Sequence, residues 1–401
     1  MATTTHDVDL MDLDAFVAGR EHELFARLRD EAPLHFNEEP GGRGFWSFTR
    51  YEDVKWAAGD PQRFSSAGGT QIQDRRAEGS GTPSMHNMDA PRHKELRRIV
   101  VDRFTRKGVE AHTLRRAHDV VDRLLDRALE HGEGDLVGLV SEQLPLQVFG
   151  TWLGVPAEDL HHVVRWVNVL GGQEDPEYVA DADEVERSRQ ELFAYFSALT
   201  EERRARPQDD LVSALVHARP GGEALRIDEL LPYYVLLMFA GNDTTRNLVS
   251  WGAIDLHEHP HERAALDGAS DGELGLLIEE MLRLASPIYC MRRTATEDVE
   301  RHGRTIRAGE KVVLWFAAAN RDPRVFDDPE GFHGRRTPNK HLAFGWGSHF
   351  CLGSHLARME TEVLLRRIAA RGIRIEVTGE PDRLRSNFVR GIKRLPVRFH
   401  A

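Results

Sequence analysis

The chain has 401 residues, 40% of them hydrophobic, enough for a substantial core and for either two or three average domains or one large one. Its 53 basic and 65 acidic residues leave a net charge of −12, which argues against general nucleic-acid binding, and two cysteines rule against a disulfide framework and suit a reducing cytosol. No run approaches the roughly 20 apolar residues that span a bilayer, and residues 1–7 lack the basic and apolar regions of a signal peptide, so a cytoplasmic location without a membrane span is expected.

Residues 21–32 carry a helical pattern, and 33–36 and 44–48 read as strands around the turn Glu39-Pro40-Gly41-Gly42. Residues 65–88, rich in Gly, Ser and polar side chains, predict a long loop, and loops of that length inside a domain tend to be functional. From 93 to about 202 the pattern is helical almost throughout, broken near Gly132, Gly154-Val155-Pro156 and Gly171-Gly172. A long helix is predicted over 228–257, which would stretch roughly 45 Å and cross a whole domain. Another over 271–284 ends at Ser286-Pro287. Short strands follow around 291–295 and 311–316, then a loop rich in Pro, Asp and Arg, a helix over 352–370, and strand and turn segments to the end. No linker splits this pattern, so the expected fold is mainly α with small β-sheets (α+β), a single domain over 1–401.

The loop before the 352–370 helix reads Phe344-Gly345-Trp346-Gly347-Ser348-His349-Phe350-Cys351-Leu352-Gly353. Glycines at 345, 347 and 353 permit tight turns and close backbone approach. A helix starting near Leu352 would aim its N–H groups at the sulfur and lower the thiol pKa. Phe350 stands where a dinucleotide-binding loop needs glycine, no Lys-Ser/Thr pair follows to make a phosphate loop, and Cys290, the other cysteine, forms no Cys-x-x-Cys pair for zinc. On these residues alone, an inert buried thiol and a thiolate ligand both stand.

The string Phe-x-x-Gly-x-x-x-Cys-x-Gly, here Phe344, Gly347, Cys351 and Gly353, resembles the haem-binding loop of the cytochrome P450 family, soluble bacterial type. The resemblance implies a P450 fold with a long central oxygen-binding helix, haem b as cofactor, and Cys351 as axial thiolate of the haem iron, a ligand that favours O–O cleavage. Two further motifs gain meaning in its company. Glu280-Met281-Leu282-Arg283 places Glu and Arg one helical turn apart, a spacing that also occurs at Glu184/Arg187 and Glu201/Arg204. The family carries Glu-x-x-Arg at this distance before the haem loop, which implies a structural role for Glu280 and Arg283, locked by a later arginine, Arg335 or Arg336. Ala240-Gly241-Asn242-Asp243-Thr244-Thr245 interrupts an apolar stripe of the long helix with poor helix formers. It resembles the family's oxygen-activation motif, where the helix opens locally and the pair matching Asp243 and Thr244 delivers protons.

By the same resemblance the haem propionates would meet His93 and Arg97, spaced His-x-x-x-Arg after Met88-Asp89-Ala90-Pro91, with Arg293 from Arg292-Arg293-Thr294-Ala295, and His349. Ala240, Gly241, Phe344, Gly345 and Gly353 would also border the cofactor. The family's variable segments map to 66–88, 166–172, the start of the long helix, 288–291 and 387–389. Leu237, Phe239, Ile288, Met291 and Phe388 are the substrate-pocket candidates, and Cys290 could line that pocket without chemistry of its own. They suggest a lipophilic small molecule such as a steroid, terpenoid or polyketide.

Since no reductase module follows residue 401, electrons are expected from a ferredoxin and its reductase. Arg97, Arg98, Arg103, Arg106, Lys107 and Lys340 are the candidate basic patch on a monomer. Rival readings are oxidative coupling, or oxidation of a carrier-protein-bound intermediate, on the same scaffold. A haem-binding sensor or electron carrier without turnover is the rival from another class.

Overall fold

A computed structural model describes residues 8–74, 83–179 and 181–401. Residues 75–82 of the predicted 65–88 loop lie outside them.

A five-stranded sheet forms one flank. Its strands are β1 (Leu34–Asn37), β2 (Phe45–Phe48), β3 (Phe64–Ser65), β4 (Cys290–Ala295) and β5 (Lys311–Trp315), in spatial order β1-β2-β5-β4-β3. Only the β2–β5 pair is parallel, in the register Phe45↔Lys311 to Phe48↔Leu314. The predicted hairpin is present: Leu34 pairs with Phe48 and Asn37 with Phe45, and Gly41 and Gly44 turn it at φ of +73°.

The helices that position the site are α1 (Arg92–Val100), α2 (Arg106–His131), α3 (Leu160–Gly171), α4 (Ile227–Glu258), α5 (Asp271–Ala285) and α6 (Ser354–Ala370). The predicted 93–202 helical stretch breaks at more places than its glycines mark: the chain turns at 101–105, and Glu133–Asp135 pairs as a strand with Pro396–His400. The last turns before α3 include wide π-helical segments at Val137–Ser141 and Leu146–Gly150.

Helix α4 has 32 residues, a span of roughly 48 Å, and it carries the buried side chains of Leu230, Tyr233, Leu237 and Leu248 into the main helical core. Helix α5 starts with Ser270, whose hydroxyl accepts from the Glu273 amide while the Glu273 carboxylate accepts from the Ser270 amide. It stops at Ser286, which adopts the left-handed conformation (φ 38°) just before Pro287. The carbonyl-rich turns that follow are drawn to α5 by Arg283. The architecture is thus the expected helical fold with small sheets. No helix among the described residues is long and apolar enough to cross a membrane.

Candidate active site

One cavity collects most of the predicted site. Its floor is the 344–353 loop with Cys351, its roof is the α4 segment holding Leu237, Ala240, Gly241, Thr244 and Thr245, and Ile288, Met291 and Arg293 close one side. His93 and Arg97 of α1 close another, with Thr70, Met85 and His86 from the predicted loop.

The cysteine loop is shaped by two glycines rather than three. Gly345 and Gly347 have φ of +70° and +76°, and a Cβ on Gly347 would sit 2.6 Å from the Ala58 carbonyl oxygen. Gly353 has an ordinary φ of −81° and caps α6, which begins at Ser354 rather than near Leu352. Cys351 donates its backbone N–H to the Phe344 carbonyl at 2.9 Å, closing the loop under the sulfur. The expected fall in thiol pKa is not found. Burial pushes the Cys351 thiol up, and the opposing pull of the Gly353 amide, Arg97 and Arg358 is the smaller effect.

Four nitrogen-bearing side chains converge on the cavity wall. His93 stacks on His349 with ring centroids 4.1 Å apart, His349 meets the Ser66 hydroxyl at 3.2 Å, and Arg97 donates to the Phe350 carbonyl at 2.7 Å. Arg293 is 4% exposed, and its guanidinium donates to the Arg292 carbonyl at 2.8 Å. Strand alternation separates the two arginines: Arg292 turns to Asp74 and Gln71, while Arg293 faces the cavity. Burial lowers the Arg293 pKa to about 10, and burial with the Arg293 charge lowers that of His349 to about 3. Among the described residues no carboxylate forms an ion pair with His93, Arg97, Arg293 or His349.

On α4 the helix runs unbroken through the oxygen motif, contrary to the expected local opening. Thr244 Oγ1 donates to the Ala240 carbonyl at 2.8 Å, satisfying an acceptor on the cavity side. A Cβ at Gly241 would lie 2.2 Å from the Phe149 ring, so the glycine admits a packed aromatic. Asp243 is 4% exposed and points away from the cavity, its Oδ1 2.8 Å from Arg246 Nη2. Burial raises its pKa against the pull of Arg246.

Glu280 and Arg283 lie outside the cavity, fully buried in α5, with two 2.8 Å hydrogen bonds between them. The third member is Arg336, which reaches both Glu280 oxygens at 3.0 and 3.1 Å; Arg335 instead pairs with Glu273 near the surface.

Leu237, Ile288 and Met291 line the cavity, but Phe239 and Phe388 do not. Phe239 projects from the opposite side of α4 onto Gly171, and Phe388 packs on the Val8/Leu10 cluster beside the sheet. A helix shows only one face to the cavity, and the apolar stripe of α4 is wider than that face. The 166–172 and 387–389 segments also stay outside it. Cys290 is buried in the sheet core with Sγ 3.7 Å from the Asn387 carbonyl oxygen. Arg97 is drawn into the cavity wall, Arg103 pairs with Asp209 and Arg106 with Glu110, while Arg98, Arg106, Lys107 and Lys340 of the proposed basic patch are exposed.

Two cavity neighbours escaped the sequence reading. His86 lines the cavity, and burial lowers its pKa to about 4. Glu360 of α6 is wholly buried, and neither carboxylate oxygen has a hydrogen-bond partner among the described residues. A lone glutamate amid Leu356, Met359, Val363 and Leu364 was its sequence signal. Burial holds its pKa well above the ordinary 4.5, and the nearby Thr245 hydroxyl only partly offsets this.

The folded state therefore binds one more proton than the unfolded state between pH 4.5 and the folded pKa of Glu360. In that window stability falls as pH rises, by about 1.4 kcal/mol per pH unit. Glu360→Gln removes the slope: in urea titrations the variant is more stable than wild type at pH 7.5, and the gain shrinks to nothing near pH 4. An equal difference at both pH values would show that Glu360 is ionised in the fold.

Known proteins are similar to this chain over nearly its whole length. The family model for Cytochrome P450 matches residues 274–371. A methyl-branched lipid omega-hydroxylase of Mycobacterium bovis is 40% identical over 98% of this chain and 94% of its own length. A linalool 8-monooxygenase of Pseudomonas putida is 34% identical over 97% of this chain and 98% of its own. A Mycobacterium marinum cytochrome P450 solved in complex with pseudoionone superposes with a TM-score of 0.90 at 33% identity, covering 96% of this chain and 97% of that one. The chain belongs to the cytochrome P450 family and is an oxygen-dependent monooxygenase.

Proposed function

We propose that this monooxygenase hydroxylates a lipophilic small molecule of the branched-lipid, terpenoid or steroid class, using haem b and electrons from a ferredoxin. The observation that carries the reading is the facing of Cys351 and the Ala240–Thr245 segment across one cavity whose remaining wall is apolar at Leu237, Ile288 and Met291. The balance is one C–H bond converted to C–OH by O2, two electrons and two protons, with water as the other product.

The residues present fit the haem. Arg293, buried, and Arg97, half-buried, are cationic groups without a carboxylate in an ion pair, the donor set that two propionates need, and His93 and His349 add ring nitrogens beside them. Cys351 would supply the axial thiolate, and a haem so ligated supplies the oxygen-activating redox chemistry. Asp243 and Thr244 are the proton-delivery pair: Thr244 presents its hydroxyl at the cavity roof, and Asp243 holds the acid one residue before it. The apolar wall excludes water from the substrate, and Gly345 and Ala240 let flat groups approach the loop and roof. Exposed Arg98, Arg106, Lys107 and Lys340, with the exposed rings of Trp346 and Phe350 on the cysteine loop, support an acidic electron-donor protein docking on that side.

Lipophilic candidates are screened by the low-to-high spin shift of the haem, and hits are assayed with a reconstituted ferredoxin system. Methyl-branched lipids, terpenoid alcohols and steroids are expected to shift the spectrum and to drive hydroxylated product; a panel without any shift overturns the substrate class. In the same assay Thr244→Ala keeps consuming reductant but forms about a hundredfold less product and correspondingly more hydrogen peroxide, the low end for loss of a positioned proton donor. Unchanged coupling overturns the role given to Thr244.

A further inference from the structure

Behind the oxygen motif, on the side of α4 facing away from the cavity, lies a second polar cluster that the reaction as described does not use. Arg246, 4% exposed, is its centre. Its guanidinium meets Asp243 Oδ1 at 2.8 Å, Asn168 Oδ1 of α3 at 3.0 Å and Glu142 Oε1 at 3.3 Å. Glu142 stands between the two π-helical segments, Val137–Ser141 and Leu146–Gly150, and such wide turns recur at functional sites because they re-aim a side chain.

We propose that Glu142 and Arg246, with a water held among them, form a proton-loading station that recharges Asp243 from solvent. The inference rests on the reading of Asp243 and Thr244 as the proton-delivery pair. Three observations support it.

First, the cluster does not balance in charge: two carboxylates share one guanidinium, so burial favours a proton retained between Asp243 and Glu142. Burial raises the pKa of both carboxyls against the pull of Arg246, with Asp135 adding to the rise at Glu142; Tyr178, whose own pKa burial lifts to about 12, faces the same three groups.

Second, the two acids are ordered along a path. The Glu142 side chain is 19% exposed and that of Asp243 4%, so solvent reaches Glu142 first.

Third, a cavity of about 10 Å³ touches both acids, with Glu142, Asn168, Asn242, Asp243 and Arg246 on its polar side and Leu146, Val163, Val164 and Val167 on the other. Arg246 Nε and Asn242 Oδ1, one donor and one acceptor, are buried there without a protein partner. A cavity of that size is at the threshold for one ordered water, and these two unpaired atoms supply the minimum of polar partners it needs. A proton taken up by Glu142 can pass through that water to Asp243, and Glu142 is reloaded from bulk solvent. No bond other than O–H is made or broken.

The test compares Glu142→Gln with Asp243→Asn and Thr244→Ala in the holoenzyme, and reads carboxylic C=O infrared absorption of each protein. Because burial also drives the Glu360 carboxyl towards its neutral form, the infrared measurement is made in a Glu360→Gln background, at pH 7.5, above the value of about 6 to which burial lifts Asp255. A protonated-carboxyl band is expected there, and it is lost on adding either Glu142→Gln or Asp243→Asn. In turnover, Glu142→Gln is expected to bind substrate with an unchanged spin shift, to lose about tenfold in product formed per reductant consumed, and to lose it more steeply as pH rises; that is less than the 10²–10⁴ of a direct general acid. Glu142→Asp recovers part of the loss.

Absence of the infrared band in the Glu360→Gln protein overturns the shared proton, whether or not Glu142→Gln folds. Normal coupling and an unshifted pH profile in Glu142→Gln, while Asp243→Asn and Thr244→Ala uncouple, overturn the loading station alone. Normal coupling in all three variants overturns the proton-delivery reading on which it rests.

Discussion

Cys351→Ala is expected to abolish the red-shifted absorption band that marks a thiolate-ligated, reduced, carbon monoxide-bound haem, and product formation should fall to background. The loop around the sulfur is built by backbone: the Cys351 amide bonds to the Phe344 carbonyl, and Gly345 and Gly347 make turns that need no side chain at position 351. Removing one sulfur therefore leaves the loop and the surrounding core standing, and the proposed propionate partners His93, Arg97, Arg293 and His349 still line the cavity. The variant is expected to bind haem more weakly, to keep its circular dichroism, and to lose the ligand signature. Retention of the band in Cys351→Ala, or its absence from wild type, would overturn the ligand assignment. Cys290 offers no substitute, since burial pushes its thiol pKa far up and it sits in the sheet core.

What the sequence revealed followed from how each signal is encoded. Helices α4, α5 and α6 were legible to within two residues because their apolar periodicity is sustained and α5 is bracketed by Ser270 and Ser286-Pro287. The strand Glu133–Asp135 was invisible, because it is short, polar and exposed, and exists only through pairing with Pro396–His400. Motif residues with local spacing, such as His93 and Arg97, were brought together at the cavity as their helix phase requires. Residues whose role depends on a partner far along the chain were not separable: Arg335 and Arg336 are neighbours in sequence, yet only one turns inward to Glu280. Phe239 and Phe388 show the same limit, since apolar character marks burial without saying which buried space is filled.

The pKa of Cys351 shows how opposing effects have to be compared in size. A helix N-terminus near a thiol lowers its pKa, and the Gly353 amide and Arg97 act in that direction. The thiol is nonetheless half-buried at the cavity floor, and desolvation of a thiolate is a larger contribution than the pull of the Gly353 amide, Arg97 and Arg358. A motif read from sequence supplies the sign of each contribution, and only the packed structure decides which one wins.

Glu280→Ala should be the most damaging substitution outside the cavity, with an expected loss of about 3–5 kcal/mol, the cost typical of stranding one partner of a buried ion pair. A domain holds only about 5–15 kcal/mol in total, so the variant is expected to express poorly or to unfold at much lower urea concentration than wild type. Glu280 accepts from Arg283, Arg336, Asn339 and the His333 amide, and Arg283 in turn donates to the carbonyls of Asn320, Pro329 and Gly331. The same Asn320 accepts the Leu342 amide, so the pair anchors the chain two residues before the Phe344 end of the cysteine loop.

Burial works against the charge on Glu280, yet the hydrogen bonds of Arg283 and Arg336 hold its pKa below the ordinary 4.5. The adjacent Glu279, tied to Arg358 and His341, is held at about 2. For carboxylates lowered in the fold, stability is full above the unfolded value and is lost as pH falls through the folded one. Wild type should therefore lose stability progressively from pH 4.5 towards pH 2, and Glu280→Ala should lose less over that range because its share is already gone. Replacing both partners, as in Glu280→Ala with Arg283→Met, should cost less than Glu280→Ala alone, because no buried guanidinium is left facing its lost carboxylate. A double variant as unstable as the sum of the two single ones would show that the pair acts as two independent residues.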